Sequence, residues 1–269
     1  MRPTLFEIGR LKFHGYPTML AIAFLVGVFF CVRDLRRLDP PVEGKPTAGL
    51  WVFLGALVGA KAFWIIQFWG FRYLWQAIFI WEPGLVYYGG LMGGILGAYL
   101  YILLHRLPPL RIADVAAPYL ALGEAITRIG CFLNGCCWGR DTHVFWAVQF
   151  PKWSYPYKQQ IEDHLIDKTA AASLPVHPTQ LYMMIGLVII AIILKLSFRR
   201  RPFNGAVGLL YCFFYGILRF TVEVFRGDSV HSVSGMTVSQ SISLFLVMGS
   251  VVVFVIVMFV LSKKLGVRS

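Results

Sequence analysis

Two arginines interrupt stretches that are otherwise apolar. Arg128 opens the segment Arg-Ile-Gly-Cys-Phe-Leu-Asn-Gly-Cys-Cys-Trp-Gly-Arg (128–140), and Arg219 lies in Tyr-Gly-Ile-Leu-Arg-Phe-Thr-Val-Glu (215–223). An arginine in a bilayer costs ~3 kcal/mol or more on insertion scales, so it faces protein or a wet cavity rather than lipid. Its guanidinium stays charged when desolvated and presents a planar fork of donors that matches phosphate. Two such groups point to a site for an anion carried on a lipid. Each arginine also has a glutamate four residues away on the same helix face, Glu124 before Arg128 and Glu223 after Arg219. Two readings follow: self-neutralised structural pairs, or carboxylates that hold the arginines ready for an anion.

Cys131, Cys136 and Cys137 fall inside the same segment. Three cysteines in seven positions suit a soft metal, but no complementary histidine or cysteine pair stands nearby in sequence. The expectation is therefore no metal and no cofactor, with free thiols or a disulfide both compatible with an outward-facing turn. Cys31 and Cys212 sit in apolar stretches and read as plain core residues.

These groups must be positioned by helices. The chain has 269 residues, of which 58% are hydrophobic and 16% aromatic, and its mean hydropathy is +0.68. Seven runs approach the ~20 residues that span a bilayer: about 16–32, 48–69, 84–104, 111–131, 178–197, 204–225 and 238–262. The predicted fold class is an all-α polytopic membrane protein, one membrane domain over 1–269, with 139–177 as a small extracytoplasmic cap. A net charge of +12 does not indicate a nucleic-acid partner here. Thirteen lysines and arginines, among them Arg33, Arg36, Arg37, Arg199, Arg200, Arg201, Lys263 and Lys264, fall on one side of the seven-span plan, against nine on the other. The positive-inside rule makes that side cytoplasmic, so the N-terminus is predicted outside and the C-terminus inside. The first run is followed by a basic cluster and lacks a small-residue cleavage site before it, unlike a removable signal peptide. A bacterial inner membrane is the expected location.

Among the connecting segments, residues 1–15 read as an interfacial lead-in, and 33–47 as a charged, proline-containing connector. Trp69, Phe71, Tyr73, Trp75 and Trp81 form an expected aromatic belt at the interface. The third run opens Tyr87-Tyr88-Gly89-Gly90, and its later Gly93, Gly94 and Gly97 are expected to serve close helix packing. Within 139–177 a short strand is predicted at 145–150 and a short helix at 161–172. Pro178 suits the first turn of the fifth span. No internal repeat is visible, which weighs against an inverted-repeat transporter.

Taken together, these segments resemble the bacterial prolipoprotein diacylglyceryl transferases over nearly the whole length. The strongest part is 128–140. Further matches are Tyr16 with Met19, Gly55-Ala-Leu-Val-Gly-Ala-Lys61, Gly89-Gly-Leu91, His177-Pro-Thr-Gln-Leu-Tyr182 and the stretch from Tyr215 to Arg226. The resemblance implies that phosphatidylglycerol donates its diacylglyceryl group to the lipobox cysteine of a prolipoprotein, and that glycerol-1-phosphate leaves. The implied partners are phosphatidylglycerol, prolipoprotein signal peptides and membrane lipids.

The resemblance also implies roles. Arg128 and Arg219 would stabilise charge on the leaving phosphate and favour the thiolate of the incoming cysteine, whose thiol ordinarily titrates near ~8.5. Glu223 would hold Arg219 in place. Tyr88 stands where the family commonly has a histidine, a proposed base for the thiol; His14 is the nearest alternative acceptor. The family's usual asparagine at the Cys131 position and acidic residue at the Cys136 position are also replaced. Tyr16, Gly89, Gly90, Asn134, Gly139, His177, Gln180 and Arg226 complete the expected substrate-binding set. For several of them the residues also allow a structural reading: Tyr16 in the interface belt, Gly139 as a backbone hinge, His177 and Gln180 as caps of the fifth span. Two rival functions remain, a lipid-binding homologue with lost or altered transfer and a transporter of anions or lipids.

Overall fold

A computed structural model of the protein describes residues 4–8, 11–38, 40–42, 46–68, 70, 73, 86–228 and 235–266. Among them a two-stranded antiparallel hairpin, β1 (Thr4–Ile8) and β2 (Leu11–His14), leads directly into the first helix, with Ile8 opposite Leu11 and Glu7 opposite Lys12. The expected interfacial lead-in thus contains a hairpin that the all-α expectation did not include. Of the expected aromatic belt only Tyr73 falls among the described residues; Trp69, Phe71, Trp75 and Trp81 lie outside them.

Helices account for the rest: α1 (Gly15–Leu35), α2 (Thr47–Phe68), α3 (Tyr87–Leu104), α4 (Pro109–Asn134), α5 (Tyr155–Glu162), α6 (Thr179–Ser197), α7 (Ala206–Val224) and α8 (Val238–Gly266). Every apolar run coincides with one of them. Five are long and apolar enough to cross a membrane: α1, α2, α6 with its terminal turn to Arg200, α7 and α8. α3 is apolar but has 18 residues. α4 is 26 residues long but carries Arg111, Asp114, Glu124 and Arg128. Large apolar side chains such as Phe29, Leu54, Ile192, Phe245 and Phe259 are exposed along these helices, as expected where lipid is the solvent.

The helix expected at 161–172 forms earlier, at Tyr155–Glu162, with Pro156 in its first turn. The reason is tertiary. The fully buried Tyr157 places its hydroxyl 2.9 Å from Lys168 O and 3.0 Å from Ala170 O. Gln160 Oε1 accepts from Leu174 N at 2.8 Å, and Ser173 Oγ accepts from Phe150 N at 2.9 Å. Residues after Asp163 therefore run back over α5 as a loop. The strand expected at 145–150 is reduced to an isolated bridge, Val148 with Val176.

The chain falls into two compact units, Val28–Ile112 and Met1–Gly27 with Ala113–Ser269. In the first, α2 and α3 cross on glycine. A Cβ on Gly93 would collide with Gly55 O, one on Gly89 with Gly59 O, and one on Gly97 with Trp51 O. Only hydrogen at these positions lets the backbones touch. Lys61 is buried in this unit, its ammonium 5.1 Å from the Trp64 ring centroid.

The second unit is built around Ala117, Ala121 and Ala125 of α4, Met183, Leu187, Ile190 and Leu194 of α6, and Val207 and Val222 of α7. Asp114 of α4 is fully buried and caps α7. Its carboxylate accepts from Gly205 N at 2.8 Å, Val207 N at 2.9 Å and Gly208 N at 3.1 Å, with Arg201 Nε 3.6 Å away. These are the orphan amides of a first helical turn, and a negative charge suits that end of the dipole. Asp114→Ala is expected to lower stability by about 3 kcal/mol, with Asp114→Asn losing less. Thermal unfolding of the purified protein in detergent reads this, and equal stability of Asp114→Ala and wild type dismisses the cap.

Candidate active site

In the second unit the C-terminal end of α4, the N-terminal end of α6, the C-terminal end of α7 and the N-terminal end of α8 meet. α4 stops in a turn set by Asn-Gly. Gly135 takes φ +75°, where only hydrogen fits without strain, while Gly135 N donates to Phe132 O at 3.3 Å and Cys136 N to Cys131 O at 3.1 Å. The chain therefore folds back over the end of its own helix. Thr179 Oγ1 donates to Cys137 O at 2.6 Å and Gln180 Nε2 to Cys136 O at 2.7 Å, so the first turn of α6 clamps that return. The Sγ atoms of Cys131, Cys136 and Cys137 lie within 4.8 Å of one another. Hydrogen bonds from the other two thiols hold the Cys137 thiol below its ordinary value, and the Arg226 and Arg128 guanidiniums add to the effect.

Both arginines are mostly buried, each beside its glutamate. Arg128 Nη2 lies 2.6 Å from Glu124 Oε1, which also sits 3.5 Å from the Tyr215 hydroxyl of α7. Arg219 Nη2 lies 3.0 Å from Glu223 Oε2 and donates to Ser239 Oγ at 2.9 Å. Glu223, 4% exposed, also lies 3.7 Å from Arg226 Nη1. Arg226 grips Asp228 with two hydrogen bonds of 2.8 and 2.9 Å. Among the described residues, Arg128 Nε and Arg219 Nη1 are buried without a hydrogen-bond partner. A buried donor left unmade costs about 1–3 kcal/mol, more when charged. Each guanidinium thus keeps an unspent donor nitrogen beside a carboxylate that fixes its orientation, an arrangement that can receive phosphate oxygens.

The remaining candidates take varied places. Tyr16 and Met19 of α1 pack on α4 at Gly130, where a Cβ would lie 3.0 Å from Tyr16 Cα and from Met19 Cβ. Asn134 is half-buried at the last position of α4. Gly139 is enclosed by backbone: a Cβ there would stand 2.6 Å from His177 O and 2.8 Å from Phe225 O. It joins three segments, with Gly139 N donating to His177 O at 3.0 Å, Arg140 N to Phe225 O at 2.8 Å and Gly227 N to Trp138 O at 3.1 Å. His177 Nδ1 is 3.0 Å from the Tyr182 hydroxyl, which accepts from Trp146 Nε1 at 2.6 Å. Gln180 is spent on the turn through its amide nitrogen, while its Oε1 is buried without a hydrogen-bond partner among the described residues. His14 is exposed at the end of β2, and its carbonyl accepts from Thr18 Oγ1 at 2.8 Å.

Tyr88, Gly89 and Gly90 belong to the other unit. Tyr88 is 60% exposed at the start of α3. Gly89 is pressed against Gly59 and Phe63, whereas a Cβ on Gly90 would meet Ala56 O and Ala60 Cβ at an ordinary 3.5 Å.

Sequence reasoning missed Ser239 and Asp228. Asp228 follows Arg226 by two residues in an Arg-Gly-Asp turn, a local signal available in the sequence. Ser239 lies 20 residues beyond Arg219 on another helix, and nothing local marks it. A cleft of about 710 Å³ lies at the opposite ends of α6 and α7, lined by Leu196, Arg200, Phe213 and Phe254 among others, away from both arginine–glutamate pairs.

A family model described as prolipoprotein diacylglyceryl transferase matches residues 3–256. The phosphatidylglycerol–prolipoprotein diacylglyceryl transferase of Clostridium tetani is 31% identical over 257 residues, which cover 94% of this chain and 97% of that protein. Proteins of the same name from Idiomarina loihiensis and Finegoldia magna are 31% and 32% identical, over 98% and 92% of this chain and 94% and 92% of their own lengths. With the match running through nearly every helix and through the 128–140 segment that opens on Arg128, the chain belongs to the prolipoprotein diacylglyceryl transferase family.

Proposed function

We propose that this multi-pass membrane protein is a transferase that moves the diacylglyceryl group of phosphatidylglycerol to the lipobox cysteine thiol of prolipoproteins and releases glycerol-1-phosphate. The observation that carries the site assignment is the pair of buried guanidinium atoms, Arg128 Nε and Arg219 Nη1, that lack a hydrogen-bond partner among the described residues. In the reaction the thiolate sulfur bonds to the glyceryl carbon, and that carbon's bond to phosphate oxygen breaks. The electron pair leaves on the phosphate. Arg128 and Arg219 meet that growing charge with donors already oriented by Glu124 and Glu223, so little reorganisation is needed. Glu223 holds Arg219 and Arg226 at once. Asn134 and Tyr16 border the signature turn and complete the headgroup side, while Gly139, His177 and Gln180 serve it by holding the turn.

The chain works as one membrane domain of seven spans in a bacterial inner membrane. Its N-terminus lies outside and its C-terminus in the cytoplasm, with 139–177 as an extracytoplasmic cap. The basic residues at and beyond the C-terminal ends of α1, α6 and α8 support that orientation. Complementation of a strain depleted of its own transferase, together with transfer from phosphatidylglycerol to a lipobox peptide by the purified protein, tests the activity. No lipidated peptide where a control enzyme works refutes it.

Tyr88 stands at the position where the family commonly carries a histidine proposed as base for the thiol, with His14 as the alternative acceptor, and substitution tests the phenol. Tyr88→Phe is expected to lower kcat/KM about tenfold, the low end of what a positioned proton acceptor contributes. Unaltered activity removes the phenol from proton transfer.

A further inference from the structure

Three thiols of one turn converge although their sequence spacing matches no common metal pattern. The turn after Asn134 carries Cys136 back over Cys131, and Cys137 adopts φ +60°, a backbone conformation that a non-glycine residue holds only when its surroundings enforce it. Thr179 and Gln180 grip the carbonyls of Cys137 and Cys136, so the set is fixed from the backbone side. All three Sγ atoms lie within 4.8 Å of one another. A thiophilic ion bonds sulfur at about 2.3 Å, and tetrahedral angles then put sulfurs about 3.8 Å apart. Each sulfur needs to move by less than about 1 Å to close on such an ion.

We propose that Cys131, Cys136 and Cys137 form a binding site for a thiophilic metal ion of the Zn²⁺ type, with three protein ligands and a fourth position open to an outside thiol or water. Sulfur donors exclude Mg²⁺ and Ca²⁺, which take oxygen. Three thiolates bring more negative charge than a divalent ion cancels, which favours a soft, strongly polarising ion over a hard one. Among the described residues no fourth histidine, cysteine or carboxylate joins the group. Sites closed for structure commonly have four protein ligands, and sites that keep an exchangeable position have three. Cys136 and Cys137 are half-buried, so a ligand from outside has access. Binding displaces the thiol protons to solvent, and no oxidant or reductant is involved.

Metal content is read without any assay of lipid transfer, so the site stands or falls separately from the proposed activity. The full-length protein, purified in detergent and thiol-reduced, is titrated anaerobically with Co²⁺. One cobalt per chain is expected, with a thiolate-to-cobalt charge-transfer band and four-coordinate d–d absorption that shifts when a small thiol is added. In the Zn²⁺-loaded wild type, alkylation of Cys136 and Cys137 slows at least tenfold, while Cys31 and Cys212 keep their rates. Cys136→Ser and Cys137→Ser lose the band. Absence of the band in wild type, unprotected Cys136 and Cys137, or a band that survives both substitutions overturns the site. A spectrum indifferent to added thiol overturns the open position.

Discussion

Arg128→Ala and Arg219→Ala are each expected to reduce kcat/KM for diacylglyceryl transfer by about a hundredfold or more. A preoriented donor at a developing anion is worth ~3 kcal/mol, and every 1.4 kcal/mol is a factor of ten. The loss should exceed that of a single hydrogen bond, because each substitution leaves a carboxylate, Glu124 or Glu223, near the phosphate site without the arginine four residues away, although Glu223 keeps Arg226. The fall should lie mainly in kcat, since the phosphate gains charge on the way to the transition state. Arg128→Lys and Arg219→Lys restore a point charge but not the fork that spans glutamate and phosphate together, so they recover only part of the rate. Steady-state kinetics on phosphatidylglycerol vesicles and a lipobox peptide measure this. Wild-type turnover in both alanine variants would remove the phosphate clamp.

Gly139→Ala is expected to cost about 3 kcal/mol in stability and to leave less than a tenth of the transfer activity. The added methyl would face backbone carbonyls on both sides, at 2.6 Å from His177 O and 2.8 Å from Phe225 O, and neither oxygen can rotate away. Relief requires spreading the joint that ties the signature turn to α6 and to the end of α7, and with it the arginines. Gly94→Ala offers the contrast. Its Cβ would rest 3.5 Å from Ala56 Cβ, an ordinary contact, and activity should stay within twofold. Thermal unfolding and transfer are measured on both. A Gly139→Ala protein as stable and active as wild type would show that the joint yields.

Much of this was legible from local pattern. Apolar runs announced the helices because a bilayer demands length and continuity of apolar residues from the chain itself. The two arginine–glutamate pairs were readable for the same kind of reason: residues four apart share a helix face whatever lies around them, and both pairs form. Where contact is made across sequence, the pattern was silent or misleading. α5 forms at Tyr155–Glu162 because Tyr157 finds distant carbonyls to bury its hydroxyl against. Ser239 reaches Arg219, and Asp114 caps a helix that starts 92 residues later. Gly139, legible only as a hinge, proves to be the point where three backbone segments touch.

The sequence by itself determined the membrane class, the family resemblance and which charges share a helix face, since these rest on composition and on spacing along one element. Only the tertiary structure decided which donors of Arg128 and Arg219 remain unspent, and that three cysteines of the signature turn bring their sulfurs together. Both depend on side chains supplied or withheld by other helices, and on a turn whose direction is set by what clamps it from outside.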